Sequence, residues 1–350
     1  MRRTVFRIAL AAALGALFAA GPGPAAPQAP GAEGPRGTGL IPLDARELEE
    51  ILTTWPRIVR VGLNPLGFER VNAVRAAKGK PALDPRLVAP IGDEVEGARA
   101  AEIAGLQAAS VNAAAAGDLP VSVDNSLLRF FPPIRNQGQV GSCASFASTY
   151  VQLSYMTAFE RNLDIRDPAD NTNKYSPKWS YNMINGGEDN GSTLAQNYSL
   201  LNLHGAATWA EFPYDTNFRA WCLDPAVWRN ALSVRTRPTQ LVHNASTDVG
   251  LELTKELLAD GYVLVFGTFI DSWIFKPASD DPATSDDDEA AGRQVAFWEN
   301  SGSMGSHAMT IVGYNDAVWT DINANGAVDP GEKGALRIAN TWGPGWYESG

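Results

Sequence analysis

The sequence predicts an α+β fold of two lobes, a helical lobe followed by an antiparallel β lobe, and two observations carry that reading. After residue 118, apolar residues first recur at spacings near three and four, as in Ala144, Phe146, Ala147, Tyr150, Val151 and Leu153, the period of a helix with one buried face. Toward the C-terminus the pattern changes. Residues 263–270, 307–314 and 335–340 are short runs rich in β-branched and aromatic side chains, which favour strands. Helices first and strands second segregate into the two layers of an α+β domain rather than alternating around a parallel sheet.

Residues 1–21 open with Arg2 and Arg3, continue through an apolar run from Ile8 to Ala20 and end in small residues. That order predicts a signal peptide, and the run is short for a membrane span. The expected destination is secreted or periplasmic, with no stable membrane insertion once the signal is removed. A membrane anchor or a buried helix is the alternative. Residues 22–39 are dominated by Pro, Gly and Ala without periodic apolar positions, which predicts a flexible linker. Residues 40–117 hold candidate helices at 44–54 and 94–116 and no residue type that performs chemistry. A pro-segment, an accessory domain and a first layer of the main fold all fit that region.

The main domain, 118–350, begins with an extended stretch at 119–126, and Pro132 and Pro133 bar a helix there. A helix is expected from Cys143. A second opens at Ser176 as cap with Pro177 in its first turn, and a third runs over 193–203 and ends near Gly205. The stretch 276–293, with Asp280, Asp281, Asp286, Asp287, Asp288 and Glu289, reads as a solvated loop, a metal site or docking surface being the other reading.

The 350 residues suffice for a sizeable core, and 45% hydrophobic content with ten tryptophans fits a folded chain. The net charge of -11 argues against nucleic acid, which requires a clustered cationic surface. Two cysteines, Cys143 and Cys222, cannot build a disulfide framework: they pair, or at least one stays free for chemistry.

Cys143 follows a Gly-Ser turn and starts a helix, where unpaired backbone N–H groups favour the thiolate, the nucleophilic form. A cysteine nucleophile needs a base, and the chain has three histidines, His204, His243 and His307. His204 caps a helix end and His243 lies in a polar stretch. His307 follows the turn 300–306 and opens a strand, a position that presents its ring from a rigid sheet. Asn340 ends another strand beside Trp342, where an amide oxygen orients an imidazole and an indole shields that hydrogen bond. A hydrogen-bonded structural histidine and a plain turn amide are the alternatives.

These residues carry a resemblance to the papain-like cysteine proteases. Gln137-Gly-Gln-Val-Gly-Ser-Cys143 resembles that family's nucleophile segment, Ser306-His307 through Tyr314 its histidine strand, and Ile338-Ala-Asn340-Thr-Trp342-Gly-Pro-Gly-Trp346 its asparagine segment. The resemblance covers about residues 119–350 and implies an active-site cleft between the lobes. It implies Cys143 as nucleophile, His307 as its acid–base partner and Asn340 as the orienting amide. Gln137 is implied as oxyanion donor, Trp342 as the cover over the His–Asn hydrogen bond at the substrate side, and Gly191 as a backbone contact to an extended substrate. The family's cysteine is replaced by Val140, and the loop 187–192 lacks the matching one, so both halves of that bridge are absent. Ala144 stands where an aromatic residue is usual. The chain ends eight residues past Trp342, where the family generally continues, so a whole domain and one truncated at the C-terminus are both open readings. Cys222 reads as a small buried residue; a Cys143–Cys222 disulfide would silence the site.

Asp321-Ile-Asn-Ala-Asn-Gly-Ala-Val-Asp-Pro-Gly-Glu332 matches the twelve-residue calcium loop, with Asp321, Asn323, Asn325, the carbonyl of Ala327, Asp329 and Glu332 as ligands and Gly326 at the turn. A hydrogen-bonded Asx-rich turn is the alternative. The expected function is an exported cysteine peptidase acting on peptide or protein substrates, with structural Ca2+ and no organic cofactor. An inactive papain-fold binding module and a thioester-forming transpeptidase are the competing readings.

Overall fold

The computed structural model describes residues 9–11, 36–58, 61–88, 117–298 and 305–347. Most of the signal-peptide expectation, the start of the linker and the candidate helix 94–116 lie outside these residues. The three described residues of the N-terminal run, Ala9–Ala11 (β1), form a short strand parallel to β3 (Gln240–Val242) and bridged to β4 (Leu264–Phe269).

The N-terminal region contains α1 (Ala45–Thr54), started by a capping box between Asp44 and Glu47, and α2 (Pro65–Ala77), capped by Asn64 with Pro65 in the first turn. After β2 (Ser122–Asp124) comes the central helix α3, residues 143–161. It is α-helical over Cys143–Ser145, π-helical over Phe146–Leu153 and α-helical again over Ser154–Arg161, ending on Asn162 in the left-handed conformation. The expectation of one buried face is corrected: every residue from Cys143 to Phe159 is buried. Its polar side chains are absorbed by internal partners. Ser145 Oγ donates to Asn197 at 2.6 Å, Gln152 Nε2 donates to the Val263 carbonyl at 2.8 Å, and Tyr198 donates to Gln152 at 2.6 Å.

Around α3 pack α4 (Pro177–Ile184), α5 (Leu194–His204) and α6 (Pro225–Ala231). Thr193 caps α5 with Gln196, whereas Ser176 makes no side-chain cap on α4. The helix α7 (Asp248–Ala259) precedes β4. A hairpin, β5 (Trp273–Pro277) and β6 (Gln294–Trp298), carries the acidic loop.

Strand β7 (Ser306–Trp319) is the spine of the second layer, antiparallel to β4, β2 and β8 (Lys333–Ala339). Strand alternation divides its side chains between two cores. Ala308 and Val312 join the helical core with Phe146, Tyr150 and Leu201, while Met309 and Ile311 join the sheet-side core with Leu264, Trp342 and Trp346. The architecture is α+β, with a helical layer and an antiparallel layer meeting at β7.

Candidate active site

The meeting of α3 and β7 sets the site. Cys143 is the first residue of α3, and His307 lies next to Ala308, whose backbone N–H faces the Cys143 thiol. His307 Nε2 hydrogen-bonds Asn340 Oδ1 at 2.8 Å, placing the strand end after β8 against the start of β7. The Trp342 indole stacks on the His307 ring, centroids 4.4 Å apart and planes 25° apart, and so walls that hydrogen bond from one side. His307 Nδ1 is buried and has no protein hydrogen-bond partner. An imidazole held through Nε2 has Nδ1 left for a reacting group.

Gln137 is fully buried, its N–H bonded to the Thr341 carbonyl at 2.8 Å and its own carbonyl accepting from the Tyr214 hydroxyl at 2.7 Å. Its Oε1 accepts from Thr341 Oγ1, which leaves Nε2 as the free end of the amide, and Nε2 donates to the carbonyls of Gly37, at 3.0 Å, and Val140, at 2.9 Å. Gly141 N–H donates to Asp189 Oδ1 at 2.8 Å, as does the Tyr181 hydroxyl at 2.5 Å, tying the turn before Cys143 to the loop before α5. Tyr214, Asp189 and Thr341 had no sequence signal. Their spacing from Gln137 and Cys143 follows no local period, and only the fold gathers them.

Residues 36–41 form a strap across this site, which corrects the linker expectation for its last residues. Gly37 N–H donates to the Gly138 carbonyl at 2.9 Å, and the Gly37 carbonyl accepts from Gln137 Nε2 and from Trp342 Nε1, at 2.9 Å. The Gly39 carbonyl accepts from Ser192 N–H at 2.8 Å, and Ile41 N–H donates to the Ser192 carbonyl at 3.0 Å. Leu40 N–H donates to the Ser306 carbonyl at 3.2 Å. The glycines are a steric requirement: a Cβ on Gly39 would stand 2.0 Å from the Gly141 carbonyl oxygen, and one on Gly191, where φ is +90°, would stand 2.1 Å from the Gly39 oxygen. Thus Gly191 makes room, and its neighbour Ser192 makes the backbone hydrogen bonds. A Gly-rich run reads as linker because composition cannot distinguish freedom from close backbone approach.

Beneath the strap, Cys143 and His307 are completely buried. Burial pushes the Cys143 thiol up to about 11, opposed by backbone N–H groups of Ala308, Gly39, Ala144 and Leu40. Burial pushes His307 down to about 4, opposed by the hydrogen bond to Asn340. Both shifts favour the neutral forms. The thiolate expected at the helix start is therefore corrected for the covered site, where loss of water outweighs the helix terminus. Cys143 and Cys222 are both free thiols, and Cys222 is half-buried rather than buried.

The predicted calcium ligands lie between β7 and β8. Asp321 accepts from Asn325 N–H at 3.0 Å and Gly326 N–H at 2.9 Å; Glu332 accepts from Ile322 N–H at 2.9 Å and Asp329 N–H at 3.2 Å. Asn323 and Asn325 each donate through Nδ2 to Asp329 Oδ2 at 2.7 Å. The loop is thus an Asx-rich hydrogen-bonded turn, with Ala327 donating its N–H to Asn325 Oδ1 at 2.8 Å.

No family model matches the chain, and no curated protein does. Solved structures do resemble it. Xylellain, a cysteine protease from Xylella fastidiosa, is 18% identical, the match covering 66% of this chain and 78% of that one, with a TM-score of 0.41. The Amb a 11 cysteine protease, a ragweed pollen allergen solved in its proform, is 19% identical, covering 84% of this chain and 82% of that one, with a TM-score of 0.43.

Proposed function

We propose that this chain is an exported papain-like cysteine peptidase, held latent by residues 36–41. The single observation that carries the reading is the His307–Asn340 hydrogen bond beneath Trp342, on the strand whose Ala308 N–H faces Cys143. With the strap withdrawn, water reaches the site and the desolvation that keeps both groups neutral is relieved. His307 then takes the Cys143 proton, and the sulfur attacks the scissile carbonyl carbon. The developing oxyanion occupies the place of the Gly37 carbonyl oxygen, facing Gln137 Nε2, a donor worth roughly 3–4 kcal/mol to such a charge. As the C–N bond breaks, His307 returns the proton to the leaving amine, and a thioester to Cys143 remains. Water, deprotonated by His307, attacks that thioester and the thiol is regenerated. Asn340 holds the ring in the required tautomer throughout.

The extended backbone pairing of the strap with Ser192 supports a peptide as substrate. The basic and apolar start of the chain supports export, and no helix among the described residues is long and apolar enough to cross a membrane. A calcium ion in the Asp321–Glu332 loop fits the donor set: three carboxylates, two amide oxygens and the Ala327 carbonyl suit a hard cation. It would brace the connection between the strands that lead to His307 and Asn340.

A thiol-reactive peptide mimic tests the function, offered to a Gly39→Val chain so that the strap does not mask the site. The expected result is covalent labelling at Cys143 that His307→Ala abolishes. Labelling that is absent, or indifferent to His307→Ala, refutes the peptidase and leaves a binding module.

A further inference from the structure

The connection between β5 and β6 carries six carboxylates, Asp280, Asp281, Asp286, Asp287, Asp288 and Glu289. Asp287 is not a solvated surface charge. It is fully buried, and the turn is wound around it: its backbone carbonyl accepts from the N–H of Ala290, at 2.8 Å, and Ala291, at 3.1 Å, and its Oδ2 accepts from Asp281 N–H at 3.0 Å. Its other oxygen, Oδ1, is buried with no hydrogen-bond partner. A carboxylate so placed is costly unless something compensates its charge.

Two exposed carboxylates converge on the buried one. One oxygen each from Asp280, Asp287 and Asp288 lie within 4.8 Å of one another. Lys333, an ammonium facing this loop, pairs with Asp281 Oδ2 at 2.8 Å and attracts Asp287 and Asp286 at longer range. Oxygens bound to one calcium are up to about 4.6–5.2 Å apart, twice its bond length, so all three carboxylates can reach one ion. An all-oxygen set without imidazole or thiolate favours a hard cation over zinc or copper.

We propose that Asp280, Asp287 and Asp288 form a calcium site, separate from the Asp321–Glu332 loop. Asp287 supplies the inner ligand through its unpartnered carboxylate oxygen, Asp280 and Asp288 close over the ion from the two ends of the loop, and water completes the shell. The ion ties the loop where it leans on β7: Asn315 Nδ2 donates to the Asp286 carbonyl at 3.1 Å, and Ser279 N–H donates to the Trp319 carbonyl at 2.8 Å. The site does not depend on the peptidase reading.

The test is calcium alone, titrated into the chelator-treated full chain and followed by native mass spectrometry and thermal melting. In an Asp321→Ala background one calcium ion is expected to bind and raise the melting temperature. In that background Asp287→Asn, which keeps an oxygen for the Asp281 N–H, and the exposed Asp288→Asn are each expected to lower calcium affinity at least 10-fold. In chelator, Asp287→Asn is expected to melt at or above its parent, because it removes a buried carboxylate whose Oδ1 has no hydrogen bond and which two further carboxylates crowd; with calcium the order reverses. Failure of the Asp321→Ala chain to bind calcium at millimolar concentration overturns the proposal. So does unchanged affinity in Asp288→Asn, or an Asp287→Asn chain that is destabilised equally with and without calcium.

Discussion

Replacing Gly39 with valine should convert the covered site into an open one. The added Cβ would lie 2.0 Å from the Gly141 carbonyl oxygen, 2.3 Å from its carbon and 2.4 Å from its Cα. These are backbone atoms of the turn before Cys143, so no side-chain rotation relieves the clash and the strap must leave. With it go the hydrogen bonds of Gly37, Gly39, Leu40 and Ile41, each worth about 1 kcal/mol net. Water then reaches Cys143, whose thiol is held at about 11 by burial against an ordinary 9.0. At pH 7.5 that return alone raises the thiolate fraction about 100-fold, and the helix terminus and His307 add to it. Iodoacetamide alkylation of Cys143, followed by peptide mass spectrometry, should therefore accelerate at least about 100-fold, which the same thiolate arithmetic requires. Limited proteolysis near residue 40 reports strap release independently. A strap that is released while Cys143 stays as inert as in the parent would refute burial as the cause of its silence.

The covered state should have a pH window. His307, lowered from 6.5 to about 4, favours the closed form above about 6.5, and that contribution is lost as pH falls toward 4, because the open chain takes up a proton the closed chain refuses. Cys143, raised from 9.0 to about 11, contributes below 9 and loses that contribution as pH rises toward 11. Proteolytic susceptibility of residues 36–41 should be lowest between about 6.5 and 9 on these shifts; a flat profile from 7.5 to 4.5 contradicts the account. For the loop between β7 and β8, Asp321→Ala should lose one bound calcium ion and part of the calcium-dependent rise in melting temperature. Binding stoichiometry identical to the parent excludes the Asp321–Glu332 site.

Local chemistry made much of the fold legible. Local signals marked the helices at 44–54 and at 193–203 with its stop near Gly205, and the β-branched runs marked β4, β7 and β8, because these signals act within a few residues; the cap expected at Ser176 did not form. Helices α2, α6 and α7 and the β5–β6 hairpin were not read, although α7 and both hairpin strands carry apolar residues such as Leu251, Leu257, Trp273, Phe275, Val295 and Phe297. The Cys143, His307 and Asn340 segments were legible as three separated motifs whose assembly the resemblance implied and no local signal produces. That depends on β7 standing against β8 on one side and α3 on the other.

By itself, the sequence determined the order of helical and strand layers, singled out Cys143, His307, Asn340 and Gln137 as candidates, and marked the oxygen-rich turn at 321–332. Those are properties of residue type and short-range spacing. Tertiary structure alone decided that Gly37 and Gly39 lie across the site, that burial beneath them favours neutral Cys143 and His307, and that Asp287 is buried within an acidic loop. The physical reason is common to all three. Solvent exclusion arises from segments distant in sequence, and charge state follows solvent exclusion more strongly than it follows a residue's neighbours in the chain.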